Sequence, residues 1–237
     1  MKLTKLLLIF IFSFIVFTAC SNERSSSQVS NMTSGEAIRD SSLPSQFLFS
    51  SYAMTEHIFV MNEDGTEKRR LMDDPNCVDS CAVWSPNRLQ IAFTHRCDSL
   101  ASERTGQRPT LIPCSESGVY VVNTDGTGLR QLSEKLGDQL SWSPSGDQLL
   151  FSASGRGWDS RSQIYVVNVD GTGLRQLHPY DAQNYNPVWS PDGTRVSFMS
   201  FDWVDAVRFY VVNADGTGVS QIYSTSLNTT DQLSWSP

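Results

Sequence analysis

Five cysteines (Cys20, Cys77, Cys81, Cys97, Cys114) and three histidines (His57, His95, His178) are the side chains of this 237-residue sequence best suited to nucleophilic, redox or metal chemistry. Cys20 stands apart from the others. It follows Thr18 and Ala19 at the end of an apolar run from Leu6 to Phe17, which Lys2 and Lys5 precede. A positive start, an apolar stretch and small residues read as a secretory signal over residues 1–19. The run falls short of the roughly 20 residues that a membrane-spanning helix needs. The remaining four cysteines are an even count in an exported chain, which points to two disulfides with three possible connectivities. Pairing Cys97 with Cys114 would close an 18-residue ring, worth about 3 kcal/mol in the chain-entropy estimate. Cys77 and Cys81 could instead pair locally, and cross-pairing to Cys97 and Cys114 is sterically open. Zinc held by four thiolates is a rival reading of the Cys77-x3-Cys81 spacing, opposed by an oxidising compartment. His57, His95 and His178 with Asp159 or Asp202 could ligate Mn²⁺ or support proton abstraction. No Gly-x-Ser-x-Gly elbow, phosphate loop or His-Glu-x-x-His accompanies them.

Composition narrows the function classes. With 39% apolar and 11% aromatic residues the chain has ample material for a core. The formal charge is −7, and removing residues 1–19 takes away two lysines and no acidic residue. No basic stripe is visible, so nucleic acid is not an expected partner. The phrase FTAC (17–20) resembles the lipobox of bacterial lipoproteins, with Phe17 where leucine is usual. That resemblance implies cleavage before Cys20 and lipid attachment to it, and acyl chains hold a soluble domain on a bilayer. Ser21 lacks the aspartate typical of inner-membrane retention, which favours the outer membrane of a Gram-negative host. Residues 20–45 are Ser- and Asn-rich with few apolar positions and read as a tether.

The elements that position the remaining residues come from an internal repeat. The phrase Asn-x-Asp-Gly-Thr occurs at 62–66, 123–127, 168–172 and 213–217, and Trp-Ser-Pro recurs at Trp84, Trp142, Trp189 and Trp235. Tryptophan to tryptophan the steps are 58, 47 and 46 residues, so one unit is about 45 residues and one copy carries an insertion. Each unit divides into four short strands. Strand A is SWS or VWS, strand B is LLFSA (149–153) or VSFMS (196–200), strand C is IYVVN (164–168) or FYVVN (209–213), and strand D is LRQL (174–177). Asp-Gly in the intervening turns serves the backbone, because the carboxylate caps N–H groups and glycine accepts positive φ. Four-stranded units of this length, without helical periodicity, predict an all-β fold: a β-propeller of antiparallel blades over 46–237. The recurring tryptophans are then inter-blade packing residues.

On these phrases the sequence resembles the TolB-like, WD40-like β-propeller repeat, with the best copies at 142–188 and 189–234. It departs from that pattern at Asn87-Arg88, where Asp-Gly is usual, and in the cysteine-bearing insertion. The first unit starts at strand B and the last stops after strand A, which leaves two readings: a closed four-bladed ring, or part of a larger propeller truncated at its C-terminus. In either, A–B and C–D turns share one end, and the variable B–C and D–A loops share the other, including 73–81, 94–118, 152–163, 178–186 and 200–208, so that Cys77, Cys81, Cys97 and Cys114 all fall on that face. Binding residues concentrate on such loops. Arg156, Trp158, Asp159, Arg161, His178, Tyr180, Tyr185, Asp202 and Trp203 form the candidate binding face, with Asp181 and Asp205 beside them. Tryptophan and tyrosine next to arginine are the composition of a protein interface. The same types suit a sugar ring, and they also suit plugging or packing under their own loops. The expected function is non-catalytic: an extracytoplasmic lipoprotein that binds a protein or cell-envelope component, without a cofactor. The resemblance also covers a polysaccharide lyase whose propeller histidines surround a metal, so a saccharide-binding or lyase-type propeller is the alternative.

Overall fold

The computed structural model describes residues 45–51, 57–72, 77–97, 117–154, 161–177, 182–201, 206–226 and 234–236, all within the compact unit Ala37–Pro237. The described residues contain strands and no helix. Blade one comprises β1 (Gln46–Ser51), β2 (His57–Asn62) and β3 (Arg69–Arg70). Blade two comprises β4 (Cys77–Trp84), β5 (Gln90–Cys97), β6 (Gly118–Asn123) and β7 (Arg130–Ser133). Blade three follows as β8 (Gly137–Trp142), β9 (Gln148–Ser154), β10 (Ser162–Asn168) and β11 (Arg175–Gln176). Blade four is β12 (Gln183–Trp189), β13 (Arg195–Phe201), β14 (Ala206–Asn213) and β15 (Ser220–Ser226). Within each blade consecutive strands pair antiparallel in sequence order. This is the β-propeller arrangement that the repeat predicts.

The near-continuous apolar runs of the B strands follow from burial on both faces. In β9, Leu149 and Phe151 pack toward Ala92 and Val121 of blade two, whereas Leu150 joins Trp189 and Phe198 of blade four. Ile91 and Phe93 of β5 likewise face Ile58, Val60 and Leu71 of blade one. Successive side chains of a strand point to opposite faces, so a blade stacked on both sides needs apolar residues at both parities. A cross-strand aromatic pair recurs in every blade: Phe49–Phe59, Phe93–Tyr120, Phe151–Tyr165 and Phe198–Tyr210, with centroids 5.4–6.0 Å apart. Each tryptophan of an A strand packs on the preceding blade. Trp142 Nε1 donates to Val83 O and Trp235 Nε1 to Val188 O, both at 3.2 Å.

The turns at the plain end are committed to structure. In all four Asp-Gly-Thr turns the aspartate accepts from the threonine N–H and Oγ1. That bonding lowers the carboxyl pKa of Asp64, Asp125, Asp170 and Asp215. The last strand of one blade also reaches the next blade's turn. Arg69 donates to Thr124 O, and Arg175 Nη2 donates to Ala214 O at 2.6 Å. Arg130 lies close enough to Asp170 to favour its carboxylate. The departure at Asn87-Arg88 is absorbed locally: Asn87 Oδ1 accepts from Ser85 Oγ and Leu89 N–H, as Asp192 does from Ser190 Oγ and Thr194 N–H. Arg88 takes φ 62° where Gly146 and Gly193 take 76° and 70°.

The A strands are longer than the Trp-Ser phrase suggests, because a β-bulge interrupts their alternation. Cys81, Gln139 and Asn186 occupy the same position in β4, β8 and β12, with φ 55°, 55° and 52°, and the register shifts beside each. Cys77 and Cys81 therefore lie in a strand, not in a 73–81 loop, and Cys97 ends β5 rather than sitting inside a 94–118 loop. Among the described residues β1 pairs with β2 alone, and Ser234–Ser236 carry no strand pairing. Trp235 docks on blade four as Trp142 docks on blade two, and among the described residues no strand pairing joins this segment to β1.

Candidate functional site

Blade two carries chemistry that its sister blades lack. Cys77 opens β4 and Cys97 closes β5, and the two are directly opposed in the ladder with Cα atoms 4.2 Å apart, joined as a disulfide. This is the cross-pairing among the connectivities left open by the sequence, not the local Cys77–Cys81 or the loop-closing Cys97–Cys114 bond. Hairpin register explains it, since antiparallel pairing sets the first residue of β4 against the last of β5. Cys81 is disulfide-bonded as well.

One same-face step inward, Asp79 is opposed to His95. His95 Nδ1 and Asp79 Oδ1 are 2.6 Å apart, and His95 Nε2 lies 3.2 Å from Cys97 Sγ. Asp79 is 1% exposed and His95 7%. A carboxylate accepts, so the Nδ1 proton points to Asp79 and Nε2 is aimed at the sulfur. Ser117 Oγ accepts the Cys97 N–H at 3.0 Å, and the Tyr120 ring meets His95 edge-on at 5.3 Å. The constellation sits on the blade-one side of the sheet with Phe93, at the long-loop end. Cys77, His95 and Cys97 bring their donor atoms within 4.8 Å of one another, the one such His/Cys/Asp/Glu group among the described residues. Joined as a disulfide, the two sulfurs have no thiolate to offer a metal.

A second set of polar groups lines the inner strands. Gln139 Oε1 accepts from Ser152 Oγ at 2.9 Å and from the Asn186 N–H at 2.6 Å, tying blade three to blade four. Asp138, one residue before, keeps exposed surface, yet the surrounding protein strips water from its carboxylate and raises its pKa, with Arg96 opposing the rise. At the plain end an open cleft lies between blades one and two, lined by Gln46, Arg69, Trp84, Arg88, Leu89 and Asn123–Asp125.

Most of the candidate binding face lies outside the described residues: Arg156, Trp158, Asp159, His178, Tyr180, Asp202 and Trp203, as do Cys20 and Cys114. Arg161 precedes β10 and is half-buried. Tyr185 packs on Met199, Phe201, Val207 and Phe209, and burial pushes its hydroxyl pKa up. Of the three histidines, His57 lies with Nδ1 2.8 Å from Arg70 Nη2, on the face of β2 opposite Ile58 and Val60 and so away from His95. The member of this cluster that the sequence reading did not single out is Asp79. Its signal was the symmetric spacing Cys77-x-Asp79 and His95-x-Cys97, which nests two same-face pairs in one hairpin.

No family model matches the sequence, nor does any curated protein at a significant level. Solved structures do share the architecture. TolB of Agrobacterium tumefaciens, described as putative, superposes with TM-score 0.58 at 20% identity over 77% of this chain and 62% of that one. Hydrazine synthase of Kuenenia stuttgartiensis gives 0.57 at 16% identity over 79% of this chain and 32% of that one. A chain of a nidogen/laminin complex gives 0.52 at 13% over 76% and 62%. The chain thus spans less than two thirds of the length of these structures. Its stacked antiparallel blades and these superpositions together identify the fold as a TolB-like β-propeller.

Proposed function

We propose that the chain is a non-catalytic, extracytoplasmic lipoprotein whose propeller binds a protein or cell-envelope component through its long-loop end. The observation that carries the reading is the asymmetry between the two ends of the blades. At the plain end all four Asp-Gly-Thr turns repeat the same bonds, and arginines of blades one and three donate into the following turn. Those groups are occupied in holding blades together. The other end carries the connections that differ in length and residue type from copy to copy, with Trp158, Tyr180 and Trp203 among them. Propellers of TolB and of a nidogen/laminin complex share the fold, which supports a role in protein binding by likeness alone.

Crosslinking in envelope preparations tests the binding face. Trp158→Ala with Trp203→Ala should abolish a specific crosslinked partner, and Leu129→Ser with Leu174→Ser, exposed near the plain-end turns, should leave it. Loss from the plain-end variant alone would reverse the assignment. Attachment through Cys20, facing the periplasm from the outer membrane in a Gram-negative host, predicts incorporation of labelled fatty acid that Cys20→Ala removes.

A further inference from the structure

We infer that Cys77–Cys97 is a reactive disulfide, a site of exchange with thiols, in which Cys97 is the leaving sulfur and His95, oriented by Asp79, stabilises it. The sister blades provide an internal control. The ladder position held by Asp79 and His95 in blade two is held by Gly137 and Ala153 in blade three and by Asn184 and Ser200 in blade four. The fold therefore builds this rung without a carboxylate or an imidazole. Burying an acid costs free energy unless a partner compensates, and here the acid–imidazole pair occurs in the blade whose next rung is a disulfide. Its geometry is that of a thiol activated by an oriented base: Asp79 Oδ1 to His95 Nδ1 2.6 Å, His95 Nε2 to Cys97 Sγ 3.2 Å. Cys97 Sγ has the imidazole at bonding distance, whereas Cys77 Sγ only falls within the 4.8 Å that encloses the three donor atoms, so the two sulfurs differ in leaving ability. The bond lies at the rim of the sheet, where β4 begins and β5 ends, with Cys77 2% and Cys97 5% exposed, so a thiol reaches it only as the strand ends part.

The step balances as follows. An incoming thiol, RSH, passes its proton through water to His95 Nε2, and its sulfur attacks Cys77 Sγ in line with the disulfide, from the side away from Cys97. An R–S–S–Cys77 bond forms, the Cys77–Cys97 bond breaks, and its electron pair leaves on Cys97 Sγ as a thiolate facing the Nε2–H. A second thiol resolves the mixed disulfide, so two thiols are oxidised to RSSR as the protein gains two electrons and two protons. A leaving thiol of lower pKa departs faster. After reduction the β4–β5 ladder still opposes the two sulfurs. Among the described residues the polar and aromatic groups around Cys97 are few: His95, with Asp79 behind it and the Tyr120 ring at its edge, and the Ser117 hydroxyl that accepts the Cys97 N–H. Arg96 points to the opposite face, toward Asp138, and the blade-one residues packed on this face, Ile58, Val60 and Leu71, are apolar.

The test uses the folded full chain, with glutathione as the probe and mass spectrometry of trapped cysteines as the readout. Under native conditions glutathione should appear as a mixed disulfide on Cys77 and leave Cys97 free for alkylation. In the reduced chain, Cys97 should react with iodoacetamide at pH 6 about tenfold faster than an ordinary thiol of pKa near 8.5. His95→Gln should remove that excess, and Asp79→Asn should diminish it. If His95→Gln does not fold, the pH profile of Cys97 alkylation in the unsubstituted chain decides: a rate that levels off below the ordinary thiol range supports the site. Glutathione on Cys97, failure of glutathione to open the bond in the folded chain, or an ordinary thiol profile would each overturn it.

Discussion

Trp142 and Trp189 are equivalent residues in successive blades, nearly equal in burial at 8% and 6% exposure, but their indole N–H groups have different fates. Trp142 Nε1 donates to Val83 O at 3.2 Å, whereas Trp189 Nε1 is buried with no acceptor in bonding range among the described residues. Replacing either by phenylalanine removes similar packing, about 1–2 kcal/mol. Trp142→Phe also strands the Val83 carbonyl, which adds about 1–2 kcal/mol, while Trp189→Phe removes a donor whose unpaired burial already costs about 1–3 kcal/mol. Trp142→Phe should therefore lose about 2–4 kcal/mol, and Trp189→Phe should fall between a gain of about 2 and a loss of about 1 kcal/mol. Urea denaturation followed by near-UV circular dichroism measures both, provided the m-values stay equal. Losses within about 1 kcal/mol of each other would refute the argument, because the two sites would then differ in nothing that hydrogen bonding explains.

Other substitutions probe single features. Arg88→Gly relieves a left-handed backbone that costs a side-chain-bearing residue about 1–2 kcal/mol, against the about 0.5–1 kcal/mol that glycine loses in chain entropy. A net gain near 0.5–1 kcal/mol should appear as a rise in Tm. Gly137→Ala would place a methyl 2.5 Å from Val119 Cγ2 and 2.8 Å from Phe151 Cδ2, and overpacking there should cost about 1–3 kcal/mol in chemical denaturation. The Asp192 carboxyl, bonded by Ser190 Oγ and by Thr194, is pushed down to about 2 from 3.8. A depressed folded-state pKa stabilises above the unfolded value and is lost as pH falls through the folded one. Asp192→Asn should lower Tm at pH 6, and the difference from the parent should vanish as pH approaches 2; a gap that persists there would contradict the turn chemistry.

Repetition made the blades legible. The Trp-Ser-Pro and Asp-Gly-Thr phrases mark where strands turn, and aligning the copies exposes each strand by its apolar run, because both faces of a stacked blade are buried. The A strands were legible only at their ends. Left-handed residues at Cys81, Gln139 and Asn186 break the period of two, and none is a glycine that would announce such a backbone. That break also hid the disulfide, since reading Cys77 and Cys81 as loop residues removes the register that opposes Cys77 to Cys97. The His95–Asp79 contact spans 16 residues and depends on hairpin register, which spacing reveals once both strand ends are known. The variable loops have no sister copy to compare with, so composition is all that speaks for Trp158 and Trp203.

The arginine that ends one blade and the turn carbonyl that receives it in the next make the stack directional. Blades one and three offer a donor forward, and blades two and four offer the carbonyl that receives it, so a duplicated pair of blades inserted at such a seam finds both groups already matched. Growth of such an array by gene duplication then leaves no orphaned polar group at the new seams, and blade number is free to change while the plain end keeps its bonding.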